Sequence, residues 1–338
     1  MKVNICFEFK EGASGGGNQF LKALKDQFKN RNIYTESTKD ADIIIFNSYQ
    51  YIIDLIKIKI KYPNKHIVHR IDGPIRLYNE MSDKRDLITN TSNHYLADAT
   101  IYQSNFSKQT NLELGLRVKK LSSIIINAPS ENFSIDNKAS AHKNAKITII
   151  SSSWSENIKK GFETYRWLDQ NLDFKRYDFI FAGRSPYQFK NIKFLGALST
   201  RDLSHALLKS DIYITASQND PCSNSLLEAM HTGMPVVALN SGGHPELAQG
   251  KKAFLFEGSE DILEKIELAS NSIELDSDIE HLPTIEEASS QYINFLKEVH
   301  KTKKIKKNIV HQYFSVLMAL ISIFIFKVDL KIKKLKRK

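Results

Sequence analysis

Cysteine is scarce in this sequence. Only Cys6 and Cys222 occur among 338 residues, Cys6 inside an apolar run and Cys222 between a proline and a serine. Two cysteines so placed exclude a disulfide framework and fit a reducing compartment. The opening stretch MKVNICFEFKEG also lacks the apolar core of a secretory signal peptide. We therefore expect a cytoplasmic protein.

An excess of positive charge is missing from most of the chain. The formal net charge is +10, but residues 301–338 carry twelve Lys and Arg against the single acid Asp329, which leaves the first 300 residues near −1. Binding to nucleic acid requires a basic stripe or patch, and the body of the chain offers none. The sequence therefore predicts no nucleic-acid partner.

Long apolar runs are also absent until the end of the chain. There, residues 308–326 carry no formal charge and lie between two lysine-rich segments. As a helix, roughly 19 residues would extend about 28 Å, close to the thickness of bilayer hydrocarbon, and the flanking lysines suit anionic lipid headgroups. Two interpretations stay open: a basic, hydrophobic tail at 301–338 that lies on or spans an anionic membrane, and a helix docked on another subunit.

In the rest of the chain, short β-branched runs alternate with segments of helical length. The strand-like runs are VNICFEF, ADIIIF, HIVHRI, ATIYQS, SSIIIN, KITIIS, DFIFAG, NIKFLG, DIYITAS, PVVALN and AFLF. Continuous apolar strands are expected where helices cover both faces of a parallel sheet. The pattern predicts an α/β fold of two Rossmann-like, doubly wound domains, at 1–135 and 146–300, with a polar linker at 136–145.

A glycine-rich loop follows the first strand. In EGASGGGNQF, Gly12 and three consecutive glycines precede a segment in which Phe20, Leu24 and Phe28 recur at helical spacing. Glycines let the backbone approach an anion, and a helix start favours phosphate there, although a permissive turn explains the loop equally well. The strict dinucleotide fingerprint and the Walker lysine are both absent, which disfavours a dehydrogenase and a P-loop protein.

Asp220 and Glu228 form the most informative pair of carboxylates. Local rules place Asp220 in a loop after a strand and Glu228 in a helix that is capped by Asn224 or Ser225 and stopped by Gly233. In an open α/β sheet, this strand edge is where ligands bind. A carboxylate accepts hydrogen bonds from two adjacent hydroxyls, so Glu228 could hold a ribose and Asp220 a sugar. The alternative is a solvated helix residue and a turn former.

A second glycine turn follows the next strand and consists of Asn240, Ser241, Gly242 and Gly243. Its main-chain amides can donate hydrogen bonds to phosphate or sugar oxygens. Three features occur together here: two carboxylates with seven residues between them, the following EAM and GMPV, and NSGGHPEL. This combination resembles the retaining glycosyltransferases of family four, also called glycosyl transferases group 1. The resemblance covers most of residues 1–300. It implies the GT-B fold, in which two Rossmann-like domains face a cleft.

The resemblance also implies roles for these residues. Glu228 would bind the nucleotide ribose and Asp220 the donor sugar, although the family usually has Glu where this chain has Asp220, one methylene shorter. The second glycine turn would contact the donor through its backbone. Gly16 and Gly17 would contact the donor phosphates.

Lys160, in SSSWSENIKKGFETYRWL, matches a lysine that the family places on the donor diphosphate. A departing diphosphate accumulates negative charge, which a fixed cation would stabilise. The family's neighbouring arginine falls at Trp154 or Ser155 and is therefore missing here, unless Arg184 or Lys159 replaces it. The alternative for Lys160 is a solvent-exposed lysine at a helix start.

The stretch HIVHRIDGPIRLYN concentrates polar groups at the end of a strand in the first domain. His69 or Asp72 could position the acceptor hydroxyl, whereas a structural histidine and an aspartate turn before Gly73 explain them equally well. Ser104 and Asn127 occupy positions similar to the family's near the cleft, and we assign them no chemistry.

The resulting expectation is a retaining, metal-independent transferase. It would move a hexose-like sugar from a nucleotide-diphosphate sugar to a glycan or lipid-linked acceptor, in glycan, glycolipid or polysaccharide biosynthesis. Retention and metal independence are implied by the resemblance. The sequence has no convincing metal-ligand cluster and no D-x-D motif at a strand edge, and we expect no cofactor. The alternatives are a nucleotide-sugar epimerase of the same architecture and a non-catalytic nucleotide-sugar binding protein.

Overall fold

In a computed structural model of the protein, the described residues are 1–10, 15–134, 145–276, 282–303 and 309–336. Three predicted features fall partly outside them. These are Gly12 of the glycine-rich loop, the predicted linker apart from residue 145, and residues 304–308 and 337–338 of the tail.

The first sheet is wholly parallel and follows the predicted apolar runs. Its strands are β1 (Val3–Cys6), β2 (Ile43–Asn47), β3 (His66–Ile71), β4 (Ala99–Tyr102) and β5 (Leu121–Ile124), in spatial order β1-β2-β3-β4-β5. A single parallel bridge joins Val3 to Tyr34, beside β1. Because Val3 also pairs with Ile43 of β2, Tyr34 lies on the other edge of β1. The chain order therefore reverses at β1, as in a doubly wound sheet, and the glycine-rich loop follows this strand.

The second sheet shows the same reversal with six strands. They are β6 (Ile147–Ser153), β7 (Tyr177–Gly183), β8 (Lys193–Gly196), β9 (Ile212–Thr215), β10 (Val236–Leu239) and β11 (Ala253–Phe256). Their spatial order is β11-β10-β9-β6-β7-β8, with parallel pairing throughout. The order reverses between β6 and β9, so the loops after these two strands meet at the point where open α/β sheets bind ligands.

Helices connect the strands, and polar caps set several of their starts. The helices are α1 (Gly16–Asn30), α2 (Ile52–Lys61), α3 (Ile75–Tyr78), α4 (Arg85–Tyr95), α5 (Asn105–Glu113), α6 (Phe162–Asn171), α7 (Thr200–Leu208), α8 (Asn224–His231), α9 (His244–Leu247), α10 (Ile262–Asn271), α11 (Ile285–Lys301) and α12 (Ile309–Lys336). The predicted cap of α8 at Asn224 or Ser225 was wrong. The side chain of Ser223 accepts from the Leu226 N–H, so the helix begins one residue earlier. Gly233 follows the helix with a φ of 75°, in agreement with the predicted stop.

Packing divides the chain into two compact units. The first comprises Met1–Glu8, Leu24–Ile126 and Glu287–Lys338, and the second comprises Phe9–Ala23 and Asn127–Glu286. The first has a core that includes Ile44, Phe46 and Ile67 between β2, β3 and α2. The second has an aromatic core that includes Phe162, Tyr165 and Phe181. The α/β class with two parallel-sheet domains is confirmed, whereas the exact domain boundaries stay predictions.

Helix α12 packs on the first unit with one face and leaves the other exposed. Val316 and Ala319 belong to the same core cluster as Ile52 of α2 and Ile88 of α4. The opposite face exposes a stripe of large apolar side chains: Val310, Tyr313, Phe314, Leu317, Leu320, Ile321, Phe324, Ile325, Val328, Ile332 and Leu335. By length and composition alone, residues 310–336 are sufficient to cross a membrane.

Candidate functional site

The loops after β6 and β9 are held together by their backbones. After β6, a short 3-10 helix (Ile158–Lys160) ends at Gly161, which has a φ of 90°. The N–H of Gln218, in the loop after β9, donates to the Lys159 carbonyl over 2.7 Å. A Cβ on Gly161 would lie 2.5 Å from the carbonyl oxygen of Ala216, so only glycine permits this close approach. The sequence thus fixes where Lys160 stands relative to the loop that carries Asp220.

Lys160 and Asp220 form an ion pair at this sheet edge. The Lys160 Nζ lies 2.9 Å from Asp220 Oδ2, and the side chains are 33% and 13% exposed. Asp220 also accepts from the Ser217 hydroxyl and from the Cys222 N–H. Burial disfavours the charged carboxylate, but the Lys160 ammonium outweighs it and holds the pKa of Asp220 below its usual value. The structure therefore brings these two predicted residues together.

The second glycine turn packs directly on the Asp220 loop. The Gly243 N–H donates to the Asp220 carbonyl over 2.8 Å, and the Ser241 hydroxyl accepts from the Asn219 N–H over 3.0 Å. Gly242 has a φ of 67°, and a Cβ there would lie 2.5 Å from the Asp220 carbonyl oxygen. A Cβ on Gly243 would likewise meet the Pro221 carbonyl at 2.4 Å. The two loops therefore require glycine for backbone contact with each other.

Glu228 is a buried carboxyl without a hydrogen-bond donor among the described residues. It lies on α8 and is 9% exposed. Burial alone raises the pKa of its carboxyl to about 8. Within the described part of the chain, no group of three or more His, Cys, Asp or Glu is placed to hold a metal ion. An unsatisfied buried carboxyl of this kind is a strong candidate for ligand binding.

The start of α1 reaches the same place as Glu228. Gly16 and Glu228 line one cavity of about 20 Å³, together with Gln19, Phe20, Ala128, Pro129, Ser130, Phe133, Thr200 and Asn224. A Cβ on Gly16 would lie 2.6 Å from Asn224 Nδ2, whereas a Cβ on Gly17 would meet nothing within 4 Å. The Asn127 side chain donates to Asn224 Oδ1 over 3.1 Å. Sequence reasoning missed Asn224 as a site residue, because its contacts come from segments about a hundred and two hundred positions away.

His244 is a second residue that sequence reasoning missed. Its Nδ1 lies 2.8 Å from the Leu239 carbonyl, while its buried Nε2 has no partner among the described residues. Burial lowers the pKa of His244, against the opposing field of the Asp220 carboxylate. The sequence does contain a signal for His244, because it is a polar residue that directly follows the two glycines of the motif NSGGHPEL.

The predicted residues His69 and Asp72 lie in the first unit, at the end of β3. His69 is fully buried, stacks on Phe46 with ring centroids 4.0 Å apart, and contacts Asn93 and the Ser48 carbonyl through its two ring nitrogens. Burial lowers its pKa to about 3, so its ring stays neutral. The structural alternative therefore describes His69 better than acceptor binding does.

Asp72 is partly exposed and strongly tied. Its carboxylate pairs with Arg70 at 2.9 Å and accepts from Asn47 at 3.0 Å and from the amide of Gln103. Its backbone N–H donates to the Ser48 hydroxyl. Its side chain is 31% exposed, so one edge of the carboxylate remains accessible. Ser104 caps α5 through its hydroxyl, which is a structural role.

Two further residues stand at the edge of the second sheet. Arg184 follows β7 directly, is exposed, and its N–H donates to the Ser153 carbonyl at the end of β6. This places it on the same sheet edge as Lys160. The Asn240 side chain donates to Glu257 over 2.6 Å, so it is turned to a neighbouring loop.

Comparisons with known proteins find similarity in part of the sequence and in the fold. Residues 187–281 match Glycosyl transferases group 1. The sulfoquinovosyl transferase SQD2 of Arabidopsis thaliana is 32% identical over 111 residues, which are 29% of this chain and 21% of that protein. Spore coat protein SA of Bacillus subtilis is 30% identical over 91 residues, 25% of this chain and 24% of that protein. The matched region thus spans only about a quarter of these relatives' length or less.

Similarity to solved structures extends over most of the chain. The crystal structure of Anabaena Alr3699/HepE in complex with UDP and glucose superposes with a TM-score of 0.67 at 16% identity, covering 88% of this chain and 99% of that one. The fold is GT-B, and residues 187–281 are similar to glycosyl transferases group 1. The region that matches the family contains Asp220, Glu228 and the second glycine turn.

Proposed function

We propose that this protein transfers a hexose-like sugar from a nucleotide-diphosphate sugar to an acceptor, with retention of anomeric configuration and without a metal ion. The observation that carries the proposal is Glu228: a buried carboxyl without a described hydrogen-bond donor, lining one cavity with Gly16 at the start of α1. A pair of adjacent ribose hydroxyls supplies the two donors that such a carboxylate accepts. The nucleotide and glucose in the Anabaena structure support this choice of ligand.

The Lys160 and Asp220 pair would meet the reacting part of the donor. Asp220 binds sugar hydroxyls, while Lys160 neutralises the diphosphate as the glycosidic bond breaks. Arg184 is our candidate for the cation that replaces the missing arginine, because it follows β7 on the same sheet edge as Lys160. Amides at Gly17 and in the second glycine turn add hydrogen-bond donors for the phosphates. The donor phosphate oxygen would assist removal of the acceptor proton.

A donor panel with detection of released nucleoside diphosphate tests the proposal. We expect wild type to release it with one donor, and Asp220→Asn and Glu228→Gln to reduce kcat/KM by about tenfold to a hundredfold, since each removes a charge-assisted hydrogen bond. Glu264→Gln, an exposed carboxylate on α10, is the matched control and should behave as wild type. Equal activity in all four proteins would remove the central assignment.

The products also separate the alternatives. A transferase releases nucleoside diphosphate, and adds sugar to an acceptor when one is present. An epimerase converts the donor to an isomer and releases no nucleotide. A binding protein does neither.

We further propose that the protein acts on the cytoplasmic side of an anionic membrane, on a glycan or lipid-linked acceptor. The exposed apolar stripe of α12 and the lysines that follow it support membrane association. Asp72 is the candidate for positioning the acceptor, since its carboxylate remains partly accessible. Sedimentation with vesicles of phosphatidylglycerol and phosphatidylcholine tests the association. Absence of binding would contradict it.

A further inference from the structure

A cavity of about 470 Å³ lies in the first unit between α12 and the segment that leads into α4. It is lined by Tyr49, Asn79, Glu80, Asp83, Lys84, Arg85, Phe326, Asp329, Leu330, Lys333 and Lys334. None of these residues takes part in the site described above. The volume is in the range of pockets that bind small ligands.

The charges that line this cavity are unequally satisfied. Asp83 is held by Arg85 at 2.6 Å, and Lys333 lies 3.3 Å from Glu80 and 3.4 Å from Asp329. Each of the three acids therefore contacts one of two cations, and these five groups together carry one net negative charge. Lys84 and Lys334 make no ion pair within the described residues. With Lys84 and Lys334 added, the acidic and basic side chains that line the cavity carry a net charge of +1, and the two lysines without an ion pair are suited to an anion.

One wall of the cavity is apolar. Phe326, Leu330 and Lys334 follow one another at intervals of four residues, so they form a line along α12 that passes from apolar to charged. Tyr49 contributes a ring across which Arg85 lies, 5.2 Å from its centroid. A ligand with an anionic head and an apolar part satisfies both regions better than a free anion does.

The position of the cavity along α12 identifies the source of that ligand. The uncharged run of the helix ends at Phe326, and Lys327 is the first of the lysines that follow. When the part of the exposed apolar stripe before Lys327 enters the acyl region of a bilayer, this transition falls at the depth of the headgroups. The mouth of the cavity would then meet lipid phosphates.

We propose that this cavity binds the phosphate headgroup of an anionic lipid, with Lys84 and Lys334 as the phosphate ligands and Phe326 and Leu330 against the acyl chain. The inference rests on the membrane association proposed above. It adds a discrete, saturable site to a general attraction between lysines and anionic lipid.

Binding of the full-length chain to a monomeric short-chain phosphatidylglycerol, measured by calorimetry, tests the site without a bilayer. We expect saturable binding to wild type, weakened by at least about tenfold in Lys84→Glu and in Lys334→Glu, because each loses a charge-assisted contact. Lys331→Glu is the matched control: the same charge reversal on an exposed position of α12 outside the cavity, with binding unchanged. Absence of saturable binding to wild type, or equal loss in all three variants, would overturn the proposal.

Two further measurements separate the sources of failure. Inorganic phosphate should bind at least about tenfold more weakly than the short-chain lipid, since it gains nothing from the apolar wall; equal affinity would overturn the lipid assignment. Vesicles of equimolar phosphatidylglycerol and phosphatidylcholine test the membrane association itself. If wild type binds these vesicles and Lys84→Glu loses no more vesicle affinity than Lys331→Glu, the result supports the membrane association and contradicts the headgroup site. Thermal melts confirm that the exposed substitutions leave the fold intact.

Discussion

Asp220 lies in the loop before α8 and Glu228 lies on that helix, yet the pKa values of their carboxyls shift in opposite directions. Burial disfavours the charged form of both. Asp220 has Lys160 at 2.9 Å and stays ionised, whereas Glu228 has no such partner in the described part of the chain and holds its proton at neutral pH. The surroundings therefore give two carboxyls that look alike in sequence different protonation states at neutral pH.

If Glu228 binds the donor ribose as we propose, its raised pKa makes donor binding a proton-linked event. A ribose diol donates hydrogen bonds and therefore favours the carboxylate, so binding should lower this pKa from about 8 and release a proton. We expect close to one proton released per nucleotide bound at pH 7, falling towards none well above pH 8. Calorimetry of nucleoside diphosphate binding in buffers of different ionisation enthalpy measures the number.

Glu228→Gln is the control for this linkage, and it should release none of these protons. Proton uptake by wild type, or equal release by the variant, would contradict the assignment.

The raised pKa of Glu228 also affects the stability of the fold. Because the folded pKa is raised from 4.5 to about 8, the native chain keeps a proton that the unfolded chain has lost, and the free energy of unfolding falls as pH rises across this window.

Among the structural elements, the 3-10 helix before α6 depends on one left-handed glycine. Gly161 and Gly115 share a φ of 90°, but only a Cβ on Gly161 would meet another residue, at 2.3 Å from Ala216 Cβ. Gly115→Ala should lower the free energy of unfolding by about 1 to 2 kcal/mol, because alanine is strained in the left-handed conformation. Gly161→Ala should cost about 1 to 3 kcal/mol more, because the contact with Ala216 must open. Urea denaturation measures both.

Gly161→Ala should also lower turnover, since the displaced 3-10 helix carries Lys160 away from Asp220. Gly115→Ala should leave turnover unchanged. Equal losses of stability in the two variants would show that the contact with Ala216 is not rigid.

The elements show which features a sequence reveals. Strands such as β2 and β9 were predictable because a continuous apolar run identifies a buried parallel strand, and the edge position of Asp220 followed from that pattern. The role of Asn224 was not predictable, because its neighbours Gly16 and Asn127 come from distant segments. The buried contacts of His69 were not predictable for a related reason. Its polarity at a strand end suggested a site, whereas its stacking on Phe46 appears only in three dimensions.

At the scale of the whole molecule, neither compact unit is one continuous stretch of chain. Residues Phe9–Ala23 pack with the second unit, and Glu287–Lys338 pack with the first. Dividing the sequence at a polar linker could not reveal this. Amino-acid composition identifies a loop, but it does not show that later helices pack back on the first unit. For α12, the return buries one face and exposes the other, so the helix can dock on its own chain and meet a bilayer at once.

Two adjacent residues of α12 test this dual use. Ala319 is fully buried and Leu320 is 42% exposed, so the same change to Asp places the same charge at a buried position and at an exposed one. Ala319→Asp should lower Tm by several degrees, because it puts a charge into the core of the first unit. Leu320→Asp should leave Tm nearly unchanged and weaken binding to anionic vesicles by about tenfold or more, because a leucine no longer enters the acyl region. Thermal melts and vesicle sedimentation of both full-length variants provide the comparison. If α12 instead crosses the bilayer away from its own chain, Ala319→Asp would leave Tm unchanged and both variants would lose vesicle binding to the same extent.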